Sequence, residues 1–516
     1  MEDNRQIKIG AVLAYGTIAF NILAGLIYTP WMIREIGQSD YGIYGLATSL
    51  IAMFSADFGL GSAATRFLSK YKAQNDEKKI SQFMGVTLKL YLILDIIILG
   101  ILCICFFFLS DIYQGLTNNE VIKLRVVFVI SGLFTTISFP FQPLNGMIVA
   151  SERFIFQKVV DFINKFVTVV VMILLLCNGF GLYALVIVNA VVGLLVIVLK
   201  LLYMKKTFPI RIEWKYWNKE LLCEIFGFSM WATVCALAQN MIFNIMPTIL
   251  GATSNTIEIS KFTAASTMEG YVYTFTSVIS GMFMPKMARM IYKNDDNELA
   301  SSQEITALMI KVGRVQLAIV GAIISIFAAL GSGFVKLWLG DGFEGTFEVI
   351  LLMIVPTAIV AVEGIAETYI AVVGKMRYNT YGTLITALFS IIISLILSRE
   401  FGAIGVGIAI FIGNFMGRII MMNIIYVKKF KLDIMLFIKE CFIKMSIPIV
   451  CTFCVTFFME YICESKSWFI LVGKAFVSVA VYSVLMWLLA LKKQEKELFK
   501  QPLKVIYKKL LERCER

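Results

Sequence analysis

The sequence predicts an all-α, polytopic membrane protein, and three observations support this fold class. Hydrophobic residues make up 59% of the 516 residues and charged residues only 16%, against roughly 25% charged residues in soluble domains. Mean hydropathy is +0.82. Apolar runs of about 20 residues or more recur along the chain, each long enough to cross the hydrocarbon core as a helix. Because lipid cannot satisfy backbone polar groups, these runs have to be helices that bond internally.

Sliding hydropathy predicts about fourteen membrane spans. The first apolar run follows MEDNRQIKIG without a small-residue cleavage site, so it reads as a retained span and not as a signal peptide. The fourth span is interrupted by Pro140 and Pro143, and the eighth is rich in Thr and Ser. The predicted spans are 9–33, 41–65, 83–109, 124–149, 154–177, 179–203, 222–250, 260–287, 305–330, 347–373, 380–398, 402–427, 440–461 and 468–491.

Loop charges give the orientation. With a cytoplasmic N-terminus and alternating loops, Lys and Arg favour the cytoplasmic loops by roughly three to one, which is the bias expected of such loops. Both termini are therefore predicted to be cytoplasmic. The net charge of +12 then largely reflects the basic residues of the cytoplasmic loops, so it does not argue for a nucleic-acid partner. The basic tail after 491 reads either as a surface helix on anionic lipid or as a solvated segment, and Trp214 and Trp217 are expected at headgroup depth.

Several kinds of chemistry are disfavoured. The chain has no histidine, which removes catalytic triads and the commonest metal ligand. Seven of the ten cysteines fall in or at the ends of apolar spans, so we expect packing roles, with no metal and no cofactor. GDGFEG (340–345) follows a helix and not a strand, so it is a turn, and no P-loop motif occurs. The short outer loops offer no paired-carboxylate site, so transport is favoured over enzymatic catalysis.

Polar residues inside the spans are the candidate functional residues, because intramembrane charge is expensive and faces the bundle interior. Asp161 and Lys165 are spaced i, i+4, which predicts a neutralising pair on one helix face. Lys311 and Arg314 share a face without an acid on their own span. Their anionic partner is expected to be either Glu363 or Glu367 from the next helix, or a ligand.

An internal repeat gives the domain organisation. A shift of about 220 residues places 39–70 on 260–290, with matching aromatic, small and terminal basic positions. Six spans per copy predict two lobes related by an axis along the membrane normal, with the substrate site between them. The predicted boundaries are 1–205 for the N-lobe, 206–221 for an interfacial linker, 222–430 for the C-lobe, 431–491 for two further spans and 492–516 for the basic tail.

The motifs SDYGIYGL and FGLGSAATRF resemble the second-helix signature of Wzx-type polysaccharide flippases of the MOP superfamily. The likeness extends to PWMIREIG, ASTMEGYVYTF, LWLGD and FGAIGVGIAI, and covers nearly the whole chain. It implies two six-helix lobes around a central cavity, as in MATE-like proteins, plus two C-terminal helices. It also implies flipping of an undecaprenyl-pyrophosphate-linked oligosaccharide from the cytoplasmic to the outer leaflet of a bacterial cytoplasmic membrane. The glycan stays open among O-antigen, capsule, exopolysaccharide and teichoic-type polymer.

Roles for the polar residues follow from that substrate. Cations capture a pyrophosphate by charge-assisted hydrogen bonds, and the candidates are Arg34, Arg66, Lys286, Arg289, Lys311, Arg314 and Arg418. Amides suit a sugar, and the candidates are Asn21, Gln239, Asn240 and Asn244. Carboxylates for coupling or gating are Asp57, Glu269, Glu363 and Glu367.

Two other functions are carried as alternatives: a MATE-like multidrug or organic-cation antiporter, and a membrane-embedded glycan polymerase or transferase. A cavity for cationic drugs would be dominated by carboxylates, whereas here basic residues compete with the acids. The expected partners are the lipid-linked oligosaccharide, membrane lipids and the polymerase and chain-length machinery for the polysaccharide.

Overall fold

The computed structural model describes residues 2–54, 60–207, 212–293, 298–492 and 495–496. Within these ranges the regular secondary structure is helical, and no strand occurs. This confirms the all-α class. Helices of the first half are α1 (Glu2–Ile36), α2 (Gln38–Phe54), α3 (Leu60–Ala73), α4 (Glu77–Ile112), α5 (Asn118–Ser138), α6 (Pro143–Ala150), α7 (Phe154–Cys177), α8 (Gly181–Thr207) and α9 (Lys219–Thr253).

The second half continues the same pattern of long helices and short connections. Its helices are α10 (Thr256–Gly281), α11 (Met284–Lys293), α12 (Glu298–Leu339), α13 (Thr346–Val362), α14 (Gly364–Val372), α15 (Arg377–Asn414), α16 (Met422–Phe430), α17 (Ile434–Ile438), α18 (Lys444–Ile462) and α19 (Trp468–Leu485).

Polar residues in the short loops begin several helices by capping them. The first backbone N–H groups of a helix have no intrahelical partner, and a side-chain oxygen at the N-cap satisfies one of them. Asp76 accepts from the Lys79 N–H at the start of α4, and Asn218 accepts from the Glu220 N–H at the start of α9. Thr117 and Glu120 form a reciprocal capping box at the start of α5. The loop sequence therefore fixes where these helices begin.

Proline and glycine account for two of the interruptions. Pro140 lies in a 3-10 turn (Phe139–Phe141) between α5 and α6, so the fourth predicted span is broken as its prolines indicate. Gly402 has φ +53° and ψ −130° inside α15, a conformation that L-residues with a Cβ rarely adopt. It separates the eleventh and twelfth predicted spans. Three π-helical stretches, Phe415–Met421, Lys439–Ile443 and Met486–Ala490, lie in the last third of the chain.

Each predicted span coincides with one or two of these helices. Ten stretches among the described residues are long and apolar enough to cross a membrane, or eleven if α13 and α14, bent by 55°, count as one span. The protein is thus a multi-pass membrane protein. The count of about fourteen is not confirmed, because α2, α3 and α10 are not among these stretches and because Arg377–Phe430 counts once although it contains two predicted spans.

The chain forms two compact units. The first comprises Met1–Tyr271 and Met376–Arg418, and the second Val272–Lys375 and Ile419–Arg516. In the first unit α9 packs along α2 and α15, and α1 packs along α7. In the second unit α12 packs against α13, α18 and α19. The division into N-lobe and C-lobe at 205 and 222 stays a prediction.

A glycine seam in the first unit brings α2 very close to α10. A Cβ on Gly42 would lie 2.1 Å from the Thr256 carbonyl oxygen, and one on Gly45 would lie 2.4 Å from Thr263 Oγ1. Neither distance leaves room for a methyl group. We use the name "glycine seam" for Gly42, Gly45, Thr256 and Thr263 below.

The two C-terminal spans pack tightly on α12 in the second unit. A Cβ on Gly313 would lie 2.9 Å from the ring of Phe437, and one on Gly321 would lie 2.8 Å from the Tyr482 hydroxyl. Trp338, at the far end of α12, is 2% exposed. These contacts make α17–α19 a support for α12.

Candidate functional site

The cations predicted to bind a ligand lie in three different environments. Five of them are exposed: Arg34, Arg66, Lys286, Arg289 and Lys311. Arg418 is half-buried in the π-helical stretch that follows α15. Arg314 is 1% exposed. A ligand headgroup therefore has access to the five exposed cations but not to the Arg314 guanidinium.

Arg314 belongs to a buried ion pair. Its Nε donates to Glu495 Oε1 at 2.5 Å and its Nη2 to Glu495 Oε2 at 2.9 Å. Arg314 Nη1 donates to the Glu440 carbonyl oxygen and Nη2 also donates to the Ala490 carbonyl oxygen, each at 2.5 Å. The acid expected here was Glu363 or Glu367; the structure instead supplies Glu495, because the chain leaving the last helix returns against α12.

The predicted amides divide between α1 and α9. Asn240 Nδ2 donates to the Ala52 carbonyl at 3.0 Å and Asn240 Oδ1 accepts from Asn244. Because the last carbonyls of a helix lack intrahelical donors, Asn240 satisfies one of them at the end of α2. Gln239 is half-buried. Asn21 Oδ1 is buried without a donor among the described residues.

The predicted carboxylates are largely buried. Glu269 is 5% and Glu363 is 4% exposed, while Glu367 is half-buried. Glu363 Oε1 accepts from Asn423 Nδ2 at 2.9 Å, which joins α14 to α16 in the second unit. Asp57 lies outside the described residues. None of the three described acids is an exposed group of the kind that a cationic substrate would meet first.

A carboxylate that the sequence analysis did not single out joins three helix starts in the first unit. Glu120 Oε1 accepts from Ser39 Oγ and from Thr256 Oγ1, both at 2.6 Å, and Glu120 Oε2 accepts from Thr117. The capping-box spacing T-N-N-E accounts for a glutamate at this position. This spacing does not predict the contacts of Glu120 with Ser39 and Thr256, which come from distant parts of the chain.

Further contacts gather the loops at this end of the first unit. Thr253 Oγ1 donates to Ser398 Oγ and Ser254 Oγ to the Ser398 carbonyl, both at 2.9 Å. The Ala403 N–H donates to Glu258 Oε2 at 2.8 Å. The predicted alternation of spans across the membrane assigns four segments to the non-cytoplasmic face: the loops after α1, α4 and α9, and the turn at Gly402. The structure brings these four loops together; their placement outside stays a prediction.

We expect Glu120→Gln to lower the free energy of unfolding by about 1.5–3 kcal/mol, the usual contribution of hydrogen bonds to a charged group. The amide keeps one acceptor but places an NH₂ group where hydroxyl donors now converge. The thermal unfolding midpoint of the purified protein measures this loss. Glu35→Gln is the matched control, because Glu35 is exposed at the end of α1. Equal midpoints for the two variants would contradict the role assigned to Glu120.

The expected ion pair on α7 does not form as predicted. Asp161 lies 3.8 Å from Lys158 Nζ and 3.8 Å from Lys200 Nζ on α8, and not next to Lys165. Lys200 Nζ also donates to Asn145 Oδ1 at 2.9 Å. Packing of α8 beside α7 supplies a second cation for Asp161, so the local i, i+4 spacing does not decide its partner.

The segment between α8 and α9 is fixed to α4. Lys89 Nζ donates to the Tyr216 carbonyl at 3.0 Å and lies 5.7 Å from the centre of the Trp217 ring. A Cβ on Gly85 would lie 2.4 Å from the Glu213 carbonyl oxygen. Trp217 nevertheless stays 45% exposed; its placement at headgroup depth stays a prediction.

Comparison with solved structures defines the class of protein. The lipid II flippase MurJ, in an inward closed conformation, matches with a TM-score of 0.66 and 11% identity over 92% of this chain and 97% of that chain. An inward-facing multidrug resistance MATE transporter of the MOP superfamily matches with a TM-score of 0.61 and 13% identity, over 80% and 95% of the two chains. The fold is that of MOP superfamily transporters.

The family follows from the sequence itself. The profile of the polysaccharide biosynthesis protein family matches residues 32–348. The chain belongs to the polysaccharide biosynthesis protein family. No curated protein matches it. The resemblance to MOP superfamily polysaccharide exporters is thereby confirmed in family and in fold.

Proposed function

We propose that this protein is a flippase that moves undecaprenyl-pyrophosphate-linked oligosaccharide repeat units from the cytoplasmic to the outer leaflet for surface polysaccharide synthesis. One observation carries the proposal: a member of the polysaccharide biosynthesis family has the fold of a lipid-linked substrate flippase, with exposed cations on helices of both units. The substrate has an anionic diphosphate, a neutral sugar chain and a long apolar tail. Each part requires a different surface.

The diphosphate needs cations that it can reach. Arg66 on α3 and Lys286 and Arg289 on α11 are exposed, and positive-inside orientation places them at the cytoplasmic side. Guanidinium and ammonium groups bind phosphate oxygens through charge-assisted hydrogen bonds. These residues would capture the headgroup while the polyprenyl tail stays in lipid. No covalent bond is made or broken in this process.

The crossing itself requires contacts that open and close. Glu120 and the glycine seam hold together the ends of α2, α5 and α10 that are predicted to be non-cytoplasmic. Such contacts are compatible with a state in which this end is closed and the substrate enters from the cytoplasm. Separation of these helix ends would release the headgroup to the outer leaflet, as alternating access requires.

Deletion of the gene in its host tests the proposal. We expect unpolymerised lipid-linked repeat units to accumulate on the cytoplasmic face, with loss of surface glycan. Accumulation on the outer face would instead indicate a polymerase. Normal surface glycan with increased drug sensitivity would indicate an antiporter, the alternative that the likeness to MATE transporters favours. Either of these two results would overturn the flippase proposal.

Replacement of the entry cations gives a sharper prediction. We expect the double variant Arg66→Ala, Lys286→Ala to lose most export, because two charge-assisted contacts of about 1.5–3 kcal/mol each are removed. Both side chains are exposed, so the amount of folded protein should not change. Surface glycan and protein abundance are measured in the same cells. Full export by the double variant would remove these residues from the entry site.

A further inference from the structure

Helix α7 carries two opposite stripes, and only one of them suits lipid. Val159, Ile163, Phe166, Val170 and Leu174 are between 37% and 59% exposed. Their spacing of three or four residues places them on one helix face. Such an exposed apolar face is what lipid tails contact. This face is the lipid-facing stripe of α7.

The opposite face is polar over most of its length. It consists of Lys158, Asp161, Lys165, Thr168 and Met172, again at spacings of three or four residues. Because each residue turns the helix by about 100°, this polar stripe lies on the side away from the lipid-facing stripe. Lys165 is exposed. A ligand can therefore reach its ammonium group.

The polar stripe borders α1, which also packs on α7 through Phe20 against Phe162 and Phe166. Tyr28 of α1 donates its hydroxyl to Met172 Sδ at 3.1 Å. Thr17, Asn21 and Tyr28 share one face of α1 by helical spacing. Asn21 Oδ1 on that face is buried, and no described residue donates to it. Two polar helix faces thus meet inside the first unit.

Positive charge exceeds negative charge around this polar stripe. Lys200 of α8 is 12% exposed at its side chain and lies 3.8 Å from Asp161, as does Lys158. No described residue forms an ion pair or hydrogen bond with Lys165. Asp161 is the one acid in the sequences of α6, α7 and α8, and α1 has acids only at 2, 3 and 35. Three lysines are therefore accompanied by one carboxylate, which lies beside only two of them.

An unpaired lysine within a membrane span is expensive and marks a functional site unless a partner satisfies it. No acid in the sequence of the neighbouring helices lies at the depth of Lys165, so the partner that fits is an anion from outside the chain. Lys165 lies seven residues beyond Lys158, or roughly 10 Å deeper along the helix. The three lysines form a ladder that leads from the predicted cytoplasmic end towards the middle of the membrane.

We propose that the lysine ladder Lys158, Lys200 and Lys165 is a binding site for the diphosphate of an isoprenoid-linked substrate inside the first unit. This inference rests on the proposed function. The diphosphate displaces Asp161, whose contacts of 3.8 Å are at the outer limit of an ion pair, from Lys158 and Lys200. It then reaches Lys165. The site is distinct from the entry cations Arg66, Lys286 and Arg289.

Binding of farnesyl diphosphate to the purified full chain in detergent tests this site. We expect farnesyl diphosphate to raise the thermal unfolding midpoint, and farnesol, farnesyl monophosphate and phosphatidylglycerol to do so less. Lys165→Gln should weaken binding of the diphosphate about tenfold or more, whereas Lys165→Arg should keep it. Lys206→Gln on α8 is the control, because Lys206 is exposed near the end of that helix and outside the ladder.

Asp161→Asn provides a second measurement with the opposite sign. It removes the competing negative charge, so we expect tighter binding of farnesyl diphosphate; a purely structural Asp161 would give unchanged or weaker binding. Unchanged binding in Lys165→Gln, or equal binding of phosphatidylglycerol, would overturn the site. If the gene deletion leaves lipid-linked units unaffected while Lys165 still governs diphosphate binding, the flippase proposal fails and the site stands.

Discussion

Arg314→Met is expected to lower the free energy of unfolding by about 3–5 kcal/mol, the cost of removing one partner of a buried ion pair. The change leaves Glu495, which is 6% exposed, without its cation. It also leaves the carbonyl oxygens of Glu440 and Ala490 without their donor. Denaturation of the purified protein, followed by helical circular dichroism, measures the loss.

Lys311→Met is the matched control, because it makes the same kind of change on the same helix at an exposed side chain. We expect it to alter the free energy of unfolding by less than about 0.5 kcal/mol. The double variant Arg314→Met, Glu495→Met should recover much of the stability, since an apolar pair leaves no buried charge. Equal destabilisation by Arg314→Met and Lys311→Met would contradict the ion pair.

The same pair predicts a dependence on pH. Burial raises the pKa of Glu495, but hydrogen bonds from Arg314 and the Lys492 N–H outweigh it, so the pKa lies below its ordinary value of 4.5. A carboxylate with a lowered pKa contributes stability above its unfolded pKa and loses it as the pH falls through the folded value. We therefore expect the wild type to lose stability relative to the double variant as the pH falls below about 4.5.

Gly42→Ala is the second prediction with a large effect. The new Cβ would lie 2.1 Å from the Thr256 carbonyl oxygen, and a backbone atom cannot rotate away as a side chain can. Helix α2 therefore has to move away from α10. We expect a loss of about 3 kcal/mol in the free energy of unfolding, the upper end for overpacked sites, together with impaired glycan export. Thermal unfolding and surface glycan are the measurements.

Gly270→Ala on α10 is the control for this substitution. A Cβ on Gly270 has no heavy atom within 4 Å, and alanine is the better helix former. We expect this variant to be at least as stable as the wild type and to export normally. If Gly42→Ala also behaves as the wild type does, the glycine seam is not a close helix contact.

Local features were predictable because they depend on short stretches of chain. The break at Pro140 follows from the prolines, and the gap between the eleventh and twelfth predicted spans coincides with the non-helical Gly402. The helices occupy the predicted spans because an apolar run in lipid has to satisfy its own backbone. Sequence motifs of the second span indicated the family.

Partners of charged side chains were not predictable in the same way. Asp161 was expected beside Lys165, four residues away, but it lies between Lys158 and Lys200. Arg314 was expected beside an acid of the next helix, but its partner is Glu495, 181 positions further along the chain. Helical spacing indicates which charged side chains of one helix can form a pair. It does not state which neighbouring helix brings a competing charge.

The sequence by itself determined that this protein is a multi-pass helical membrane protein of the polysaccharide biosynthesis protein family, because hydrophobicity, loop charge and motifs are properties of the chain. Only the tertiary structure decided that Glu120 joins three helix starts, that Arg314 is buried in an ion pair and that Lys165 has no acid beside it among the described residues. The physical reason is that a helix spacing fixes neighbours within one helix, whereas the packing of helices fixes which charges and hydrogen-bonding groups share a site.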